Sequence, residues 1–508
     1  MTQNILMRTK RVVINVFINF FVQIVNVFLA LYVRRFFSQV LGDEILGLNS
    51  LYASIMGMLL LSELGLDVAV AMCLFKPLAE DNKDKICAYM CWLKKAYFNV
   101  GCFMFLAGLC VTPFLGALTK SGFSKFYLFS TFELYVLGVA VSYFWSYKKT
   151  LLFADQRNYI ISASQLIYKI GLNVIQYVVL FLSHNYYYFL IVIIVCNITE
   201  NYVVSKICDY YYPFLKKNKA ELKKDEIRSI KSNTVGLLGY KLSGMLIEGT
   251  DNMVISFFLG TAMVAYYSNY YLIVNMLFAI FANFATSSIA GLGNMLYTEK
   301  DRLMITFSKI LLIQHFLYSF SGAAFLVLSM NFVSLVFPSS KGISFVSVMI
   351  MSIIYVVKGY SQAAEGLRNA AAKYEDKYKN IIIGFANIII SAILVQFIGI
   401  VGVLVGTLIC YLLREFVVLP RVNNKILSNF ASWYYRQTVF YLMVLVIIWS
   451  EAIIVQHYFL NDIGLVSFVL NGINCFIFSL SINIIIFRKK TEFVELCSMI
   501  KRKLGIVK

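Results

Sequence analysis

Charged side chains inside long apolar runs are the residues of this sequence that could do chemistry. In "LLLSELGLDVAVA", residues 59–71, Glu63 and Asp67 lie four apart, on one face of a helix. A carboxylate in hydrocarbon costs several kcal/mol unless it is partnered, protonated or wet. A second apolar run carries Lys241, Glu248 and Asp251 at i, i+7 and i+10, within one helical stripe. Lys169 and Lys358 are isolated in further runs, and Arg34 and Arg35 close the end of the first. Buried carboxylates of this kind bind a proton or sodium ion, or latch onto a lysine; buried lysines attract anions.

Each site has a structural alternative. Glu63 is read either as an ion-coupling or gating carboxylate or as a hydrogen-bond anchor for neighbouring helix ends, with Asp67 closer to interfacial water. Glu248 and Asp251 are read either as cation-responsive groups or as an internal ion-pair ladder with Lys241. Asp251 can also cap backbone groups together with Asn252. Lys169 and Lys358 either face a substrate cavity or pair within their own half of the chain, or snorkel along a helix.

The elements that must position these residues are transmembrane helices. Of 508 residues, 60% are hydrophobic and 14% charged, against about 25% charged in soluble domains. Apolar runs of about 20 residues recur from end to end. The pattern predicts an all-α integral membrane protein of fourteen spans, near 12–33, 45–71, 96–117, 126–147, 159–183, 186–207, 233–258, 264–294, 307–332, 343–366, 380–399, 401–419, 438–457 and 465–487. The first run is too long for the core of a cleavable signal peptide.

Lys and Arg predict the orientation. With a cytoplasmic N-terminus, cytoplasmic segments and adjoining helix ends hold 37 of the 45 Lys and Arg. The external segments hold Arg34, Arg35, Lys120, Lys125 and Lys341, while Lys169, Lys241 and Lys358 remain inside. Both termini are therefore expected in the cytoplasm. The net charge of +19 is a topology signal and not a nucleic-acid footprint. The basic loop "YYPFLKKNKAELKKDEIRSIKSN" reads as a cytoplasmic amphipathic linker at the membrane lipid surface. The external loops are short, which argues against an extracellular catalytic domain.

The ten cysteines form no CxxC pair, the three histidines are isolated, and no P-loop, GxSxG or HExxH occurs. No catalytic residue, metal site or cofactor is expected beyond possible proton or sodium coupling, so the chain is not expected to be an enzyme.

The sequence repeats at an offset of 218. Gly42 falls opposite Gly260, Ser50 opposite Ser268, Tyr52 opposite Tyr270 and Ala154 opposite Ala372. That offset covers six spans, an even number, so both repeats enter from the same side and relate by an axis along the membrane normal. The expected organisation is an N-lobe, 1–210 (spans 1–6), a linker, 211–232, a C-lobe, 233–420 (spans 7–12), and spans 13 and 14 with a basic tail, 421–508.

"RRFFSQVLGDEILGLNSLYASIMGMLLLSELGLDVAVA" resembles the second-span signature of Wzx-type polysaccharide repeat-unit flippases, and "GYKLSGMLIEGTDNMVISFFLG", from Gly239, is similar to their seventh span. That family lies in the multidrug/oligosaccharidyl-lipid/polysaccharide (MOP) exporter superfamily, whose fold is two six-helix lobes. The resemblance implies a bacterial plasma-membrane flippase for polyprenyl-diphosphate-linked oligosaccharide, used in capsule, exopolysaccharide or O-antigen synthesis. A polysaccharide polymerase and glycosyltransferases would be its partners. It also implies that spans 1, 2, 7 and 8 line the cavity. Lys241 then leads the candidates for the substrate phosphates, followed by Arg34, Arg35, Lys169 and Lys358. A lipid II flippase, a drug/cation antiporter of the same superfamily, or a membrane polymerase or ligase are the alternatives.

Overall fold

A computed structural model describes residues 25, 28–60, 66–120, 122–155, 157–216, 221, 222, 224, 226–228, 230, 242, 244–298, 300–337, 342–371, 377–459 and 464–503. Among these, every regular element is a helix. Among the described residues, eleven helices are long and apolar enough to cross a membrane, and they overlap the third to sixth and eighth to fourteenth expected spans. The first, second and seventh expected spans run partly through residues outside the described set, which include Glu63 and Lys241.

In chain order the helices are α1 (28–41), α2 (Asp43–Leu59), α3 (Leu66–Ala79), α4 (Lys83–Val111), α5 (Lys125–Ser146), α6 (Asn158–Ser183) and α7 (Tyr186–Tyr211), then α8 (Asp251–Leu259), α9 (Thr261–Thr298), α10 (Lys300–Val336), α11 (Phe345–Ala370), α12 (Lys377–Ile398), α13 (Ile400–Leu413), α14 (Phe430–Phe459), α15 (Leu465–Phe487) and α16 (Thr491–Lys503). Polar residues start several of them. Asn82, Ser124, Asn185 and Ser344 each accept a hydrogen bond from a backbone N–H in the first turn of α4, α5, α7 and α11, satisfying a donor that has no intrahelical partner.

The chain forms two compact units. One comprises Met1–Leu242 with Gly260–Ala265, the other Ser243–Leu259 with Tyr266–Lys508. In the first, α4 packs on α5, α5 on α7 and α6 on α7. In the second, α10 packs on α11, α11 on α13 and α12 on α13. The second set starts within four residues of the 218-residue offset from the first, so helix order and pairing follow the same offset as the sequence matches. Gly42 and Gly260, opposite one another in the repeat, both have positive φ, 84° and 92°. Each stands directly before a helix, a backbone state open to glycine and strained for other residues. Tyr52 and Tyr270 are both fully buried.

α12 and α13 pack closely. Their connection is Gly399 alone. A Cβ on Gly402 would lie 2.4 Å from the Leu394 backbone, and one on Gly406 2.4 Å from Ser391 Oγ. Small residues at such a seam let two backbones approach, which is how helices associate where no hydrophobic drive exists between them. α14 and α15 pack against α10 and against each other.

Candidate functional site

The seventh expected span is not one straight helix. Residues 244–248 are helical, Gly249 and Thr250 bend, and α8 begins at Asp251. Glycine weakens a helix interior. The Thr250 hydroxyl turns back to donate to the Leu246 carbonyl at 2.8 Å, and the Thr250 carbonyl accepts from the N–H groups of Met253 and Val254, both at 3.0 Å. The break sets Glu248 at the end of one segment and Asp251 at the start of the next. It also frees the Ile247 carbonyl, which accepts from Asn387 Nδ2 at 2.8 Å.

Glu248 is paired. Lys358, from α11, places Nζ 2.6 Å from its Oε1. Tyr271 of α9 donates to Oε2 at 3.0 Å, and Tyr411 of α13 donates to Oε1. Lys358 Nζ also stands 4.2 Å from the centroid of the Phe278 ring, a cation–π contact on a partly desolvated ammonium. Asp251 is 2% exposed and accepts from the Thr407 hydroxyl at 3.0 and 3.1 Å and from Tyr267 at 3.1 Å. Among the described residues, every group bonded to Asp251 is neutral. The Tyr267 and Tyr271 rings stack at 5.6 Å and tie the two carboxylates into one cluster. Both carboxylates and Lys358 line a cavity of about 20 Å³, room for about one water. The whole cluster belongs to the second compact unit.

The arrangement can do two things. Glu248 neutralises Lys358, and an incoming anion could take its place at the ammonium. Asp251 offers a desolvated carboxylate with fixed hydroxyl donors, the composition of a site for one proton or one small cation.

The other sequence candidates lie elsewhere. Arg34 is half-buried in α1, with Nη2 3.5 Å from Ser50 Oγ. Arg35 beside it is also half-buried. Nearby, Ser38 donates to Asp43 at 2.5 Å. Asp67 is exposed in the first turn of α3, a helix that continues to Ala79, eight residues past the expected end of the second span. Lys169 is exposed on α6. Glu63 and Lys241 are outside the described residues, and the expected ladder through Lys241 lies outside them too; among the described residues Glu248 pairs with Lys358. The Asp251 carboxylate accepts from Thr407 and Tyr267; neither hydroxyl was among the partners weighed from the sequence. All ten cysteines are free.

Sequence reading missed the hydroxyl partners Tyr267, Tyr271, Thr407 and Tyr411, because Tyr and Thr on apolar helices look like ordinary packing residues. It also missed a second charged cluster, in which Arg414 pairs with Glu365 and Tyr434 donates to Glu415. The signal was present: both Arg414 and Glu415 fall inside the twelfth expected span. They lie in a π-helical turn, 414–418, an irregularity common at functional positions.

No protein-family model matches the sequence, and no curated protein matches it. The fold is shared with solved structures. One is the lipid II flippase MurJ in an inward closed conformation, at TM-score 0.67 and 13% identity over 93% of this chain and 99% of that one. Another is a multidrug resistance MATE family transporter of the MOP superfamily, inward-facing, at TM-score 0.64 and 14% identity over 78% and 94%. A third is a MOP superfamily transporter from Pyrococcus furiosus noted for a binding pocket of reverse polarity, at TM-score 0.52 and 12% identity over 80% and 94%. At these identities the likeness is one of fold. The chain is thus an all-helical, multi-pass membrane protein with the fold found in MOP superfamily transporters.

Proposed function

We propose that this protein is a flippase that moves polyprenyl-diphosphate-linked oligosaccharide repeat units from the cytoplasmic to the outer leaflet of a bacterial plasma membrane by alternating access. The observation that carries the reading is the Lys358–Glu248 pair, a lysine held inside a membrane-spanning unit beside a carboxylate that can be exchanged. An anionic diphosphate is the ligand that an ammonium in a low dielectric recognises. Glu248 then acts as a placeholder: it holds Lys358 neutralised in the empty state, and its existing hydrogen bonds from Tyr271 and Tyr411 keep it satisfied when phosphate takes the lysine. The lysine need never stand uncompensated, a state that costs several kcal/mol.

The membrane potential favours export. With the cytoplasm negative, each anionic charge moved outward gains about 2.3 kcal/mol per 100 mV. Where lysines offset the phosphates, less net charge moves, and an inward proton or sodium ion supplies the drive. Asp251 is the group suited to carry it.

Two other readings have support. The MurJ fold likeness favours lipid II of cell-wall synthesis as the cargo, with the same phosphate chemistry. The neutral surroundings of Asp251 favour a cation as cargo, in which case Lys358 serves only to neutralise Glu248. The deciding experiment reconstitutes the protein in vesicles with a polyprenyl-diphosphate-linked oligosaccharide, lipid II and a cationic dye, each in turn. Flipping of the oligosaccharide carrier above both others supports the proposal. Exclusive movement of the dye overturns it.

A further inference from the structure

The first compact unit holds a polar region of its own. α6 and α7 pack side by side, and two spaces adjoin along them. One is an apolar groove of about 620 Å³, lined by residues such as Ile167, Gly171, Ile175, Val195 and Val203. The other is a polar chamber of about 330 Å³, lined by Lys149, Lys169, Gln165, Asn197 and Asn201 among others. Tyr168 and Glu200 line both spaces and so form the seam between them.

Polar contacts hold that seam. Tyr168 donates to Asn197 at 2.5 Å, Ser164 donates to Glu200 at 3.1 Å, and Lys149 pairs with Glu200 at 2.7 Å. Lys169 makes no ion pair among the described residues. Hydrogen bonds between membrane helices are individually weak, so a ligand that offers equivalent partners can replace them. Ile167 is 71% exposed, so the groove opens outward.

We propose that the α6–α7 seam is a lateral binding site for one polyprenyl-diphosphate-linked sugar. The prenyl chain lies in the groove, the diphosphate bridges Lys149 and Lys169, and the first sugars lie among the chamber's amides and hydroxyls. The ligand class rests on the flippase reading; the site rests on the joined groove and chamber. A glycerophospholipid fits less well. It brings two acyl chains to a single groove, and it presents few hydroxyls to the side chains of Gln165, Asn197, Asn201, Ser142, Ser146 and Tyr143, which hydrogen-bond in both senses. Glu200 releases Lys149 to the phosphate as Glu248 is proposed to release Lys358.

The test is photocapture. A benzoylphenylalanine is placed at Ile167 in the groove and, as control, at Phe397 of α12, which is 80% exposed. The probe is a polyprenyl-diphosphate-linked disaccharide with a radiolabelled sugar, in phosphatidylethanolamine–phosphatidylglycerol vesicles. Labelling at Ile167 should exceed that at Phe397 by about tenfold and should resist added phosphatidylglycerol. The Lys149→Gln, Lys169→Gln double variant should abolish the excess. Gly171→Leu fills the groove without touching a charge, since a Cβ there meets nothing within 4 Å; it should also abolish the excess at normal protein levels. Equal labelling at both positions, competition by phosphatidylglycerol, or full labelling in Gly171→Leu overturns the site. Flipping is read in the same vesicles. Flipping without capture overturns the site and leaves the flippase reading intact; capture without flipping supports the site and refutes that reading.

Discussion

Lys358 Nζ lies 2.6 Å from Glu248 Oε1, and the two residues are 110 positions apart in the chain. Their side chains keep 18% and 30% of their exposure, so the pair is partly desolvated and still reachable. Removing one partner of a buried pair costs about 3–5 kcal/mol; with this exposure, Lys358→Ala should cost about 2 kcal/mol and lower the melting temperature by several degrees. Lys358→Met with Glu248→Gln should recover most of that stability and no transport. Fluorescence-detected melting and vesicle flipping separate the two effects. Recovery of transport in the double variant would show the charges to be structural only.

Asp251→Asn retains the size of the side chain and one acceptor oxygen for Thr407 and Tyr267 but cannot take up a proton or hold a cation. Wild-type flipping should respond to imposed proton or sodium gradients, and flipping by this variant should be slower and indifferent to them. Thr407→Val removes the donor to Asp251 and should cost about 1 kcal/mol of stability. A gradient response unchanged in Asp251→Asn would exclude this carboxylate from coupling.

Lys241→Ala should abolish export at normal protein levels, while Lys241→Arg should retain part of it, because charge matters more than shape for a loosely held phosphate. Lys223→Ala, in the basic loop, should be silent. The readout is accumulation of lipid-linked repeat units in a flippase-null strain carrying each variant; an active Lys241→Ala would remove this lysine from the phosphate path.

Glu63→Gln should impair transport while the protein still inserts, since glutamine keeps size and hydrogen bonding and loses only the charge. Asp67, exposed at the start of α3, should tolerate Asn better. If Glu63 is only an anchor, Gln replaces it fully and Glu63→Ala instead lowers protein level through unmet partners. Flipping rates and immunoblots of the three variants decide between the two roles.

Gly402→Val should destabilise the α12–α13 pair by about 1–3 kcal/mol, because its Cβ would meet the Leu394 backbone at 2.4 Å. Gly116→Val, where a Cβ meets nothing within 4 Å, should change the melting temperature little. Equal melting temperatures for the two variants would refute the close approach.

The sequence alone determined the all-helical membrane class and eleven spans to within a few residues at most of their ends, and it carried the matches at an offset of 218 that the helix order follows. Those features are written in hydrophobic runs and in glycines such as Gly42 and Gly260, which act locally or repeat in register. It also named Glu248, Asp251 and Lys358 as the charges to explain, because any charge in an apolar run stands out. Sequence spacing could suggest a cation for Glu248 only from its own helix, and so pointed to Lys241. The tertiary structure brought Lys358 from α11, together with Tyr411 and Thr407 from α13, and broke the seventh span between the two carboxylates; Lys241 lies outside the described residues. In hydrocarbon a buried polar group must find partners within the protein. Which helix supplies them depends on which backbones can approach, and for α12 and α13 that depended on Gly402 and Gly406 meeting Leu394 and Ser391 across the packed interface.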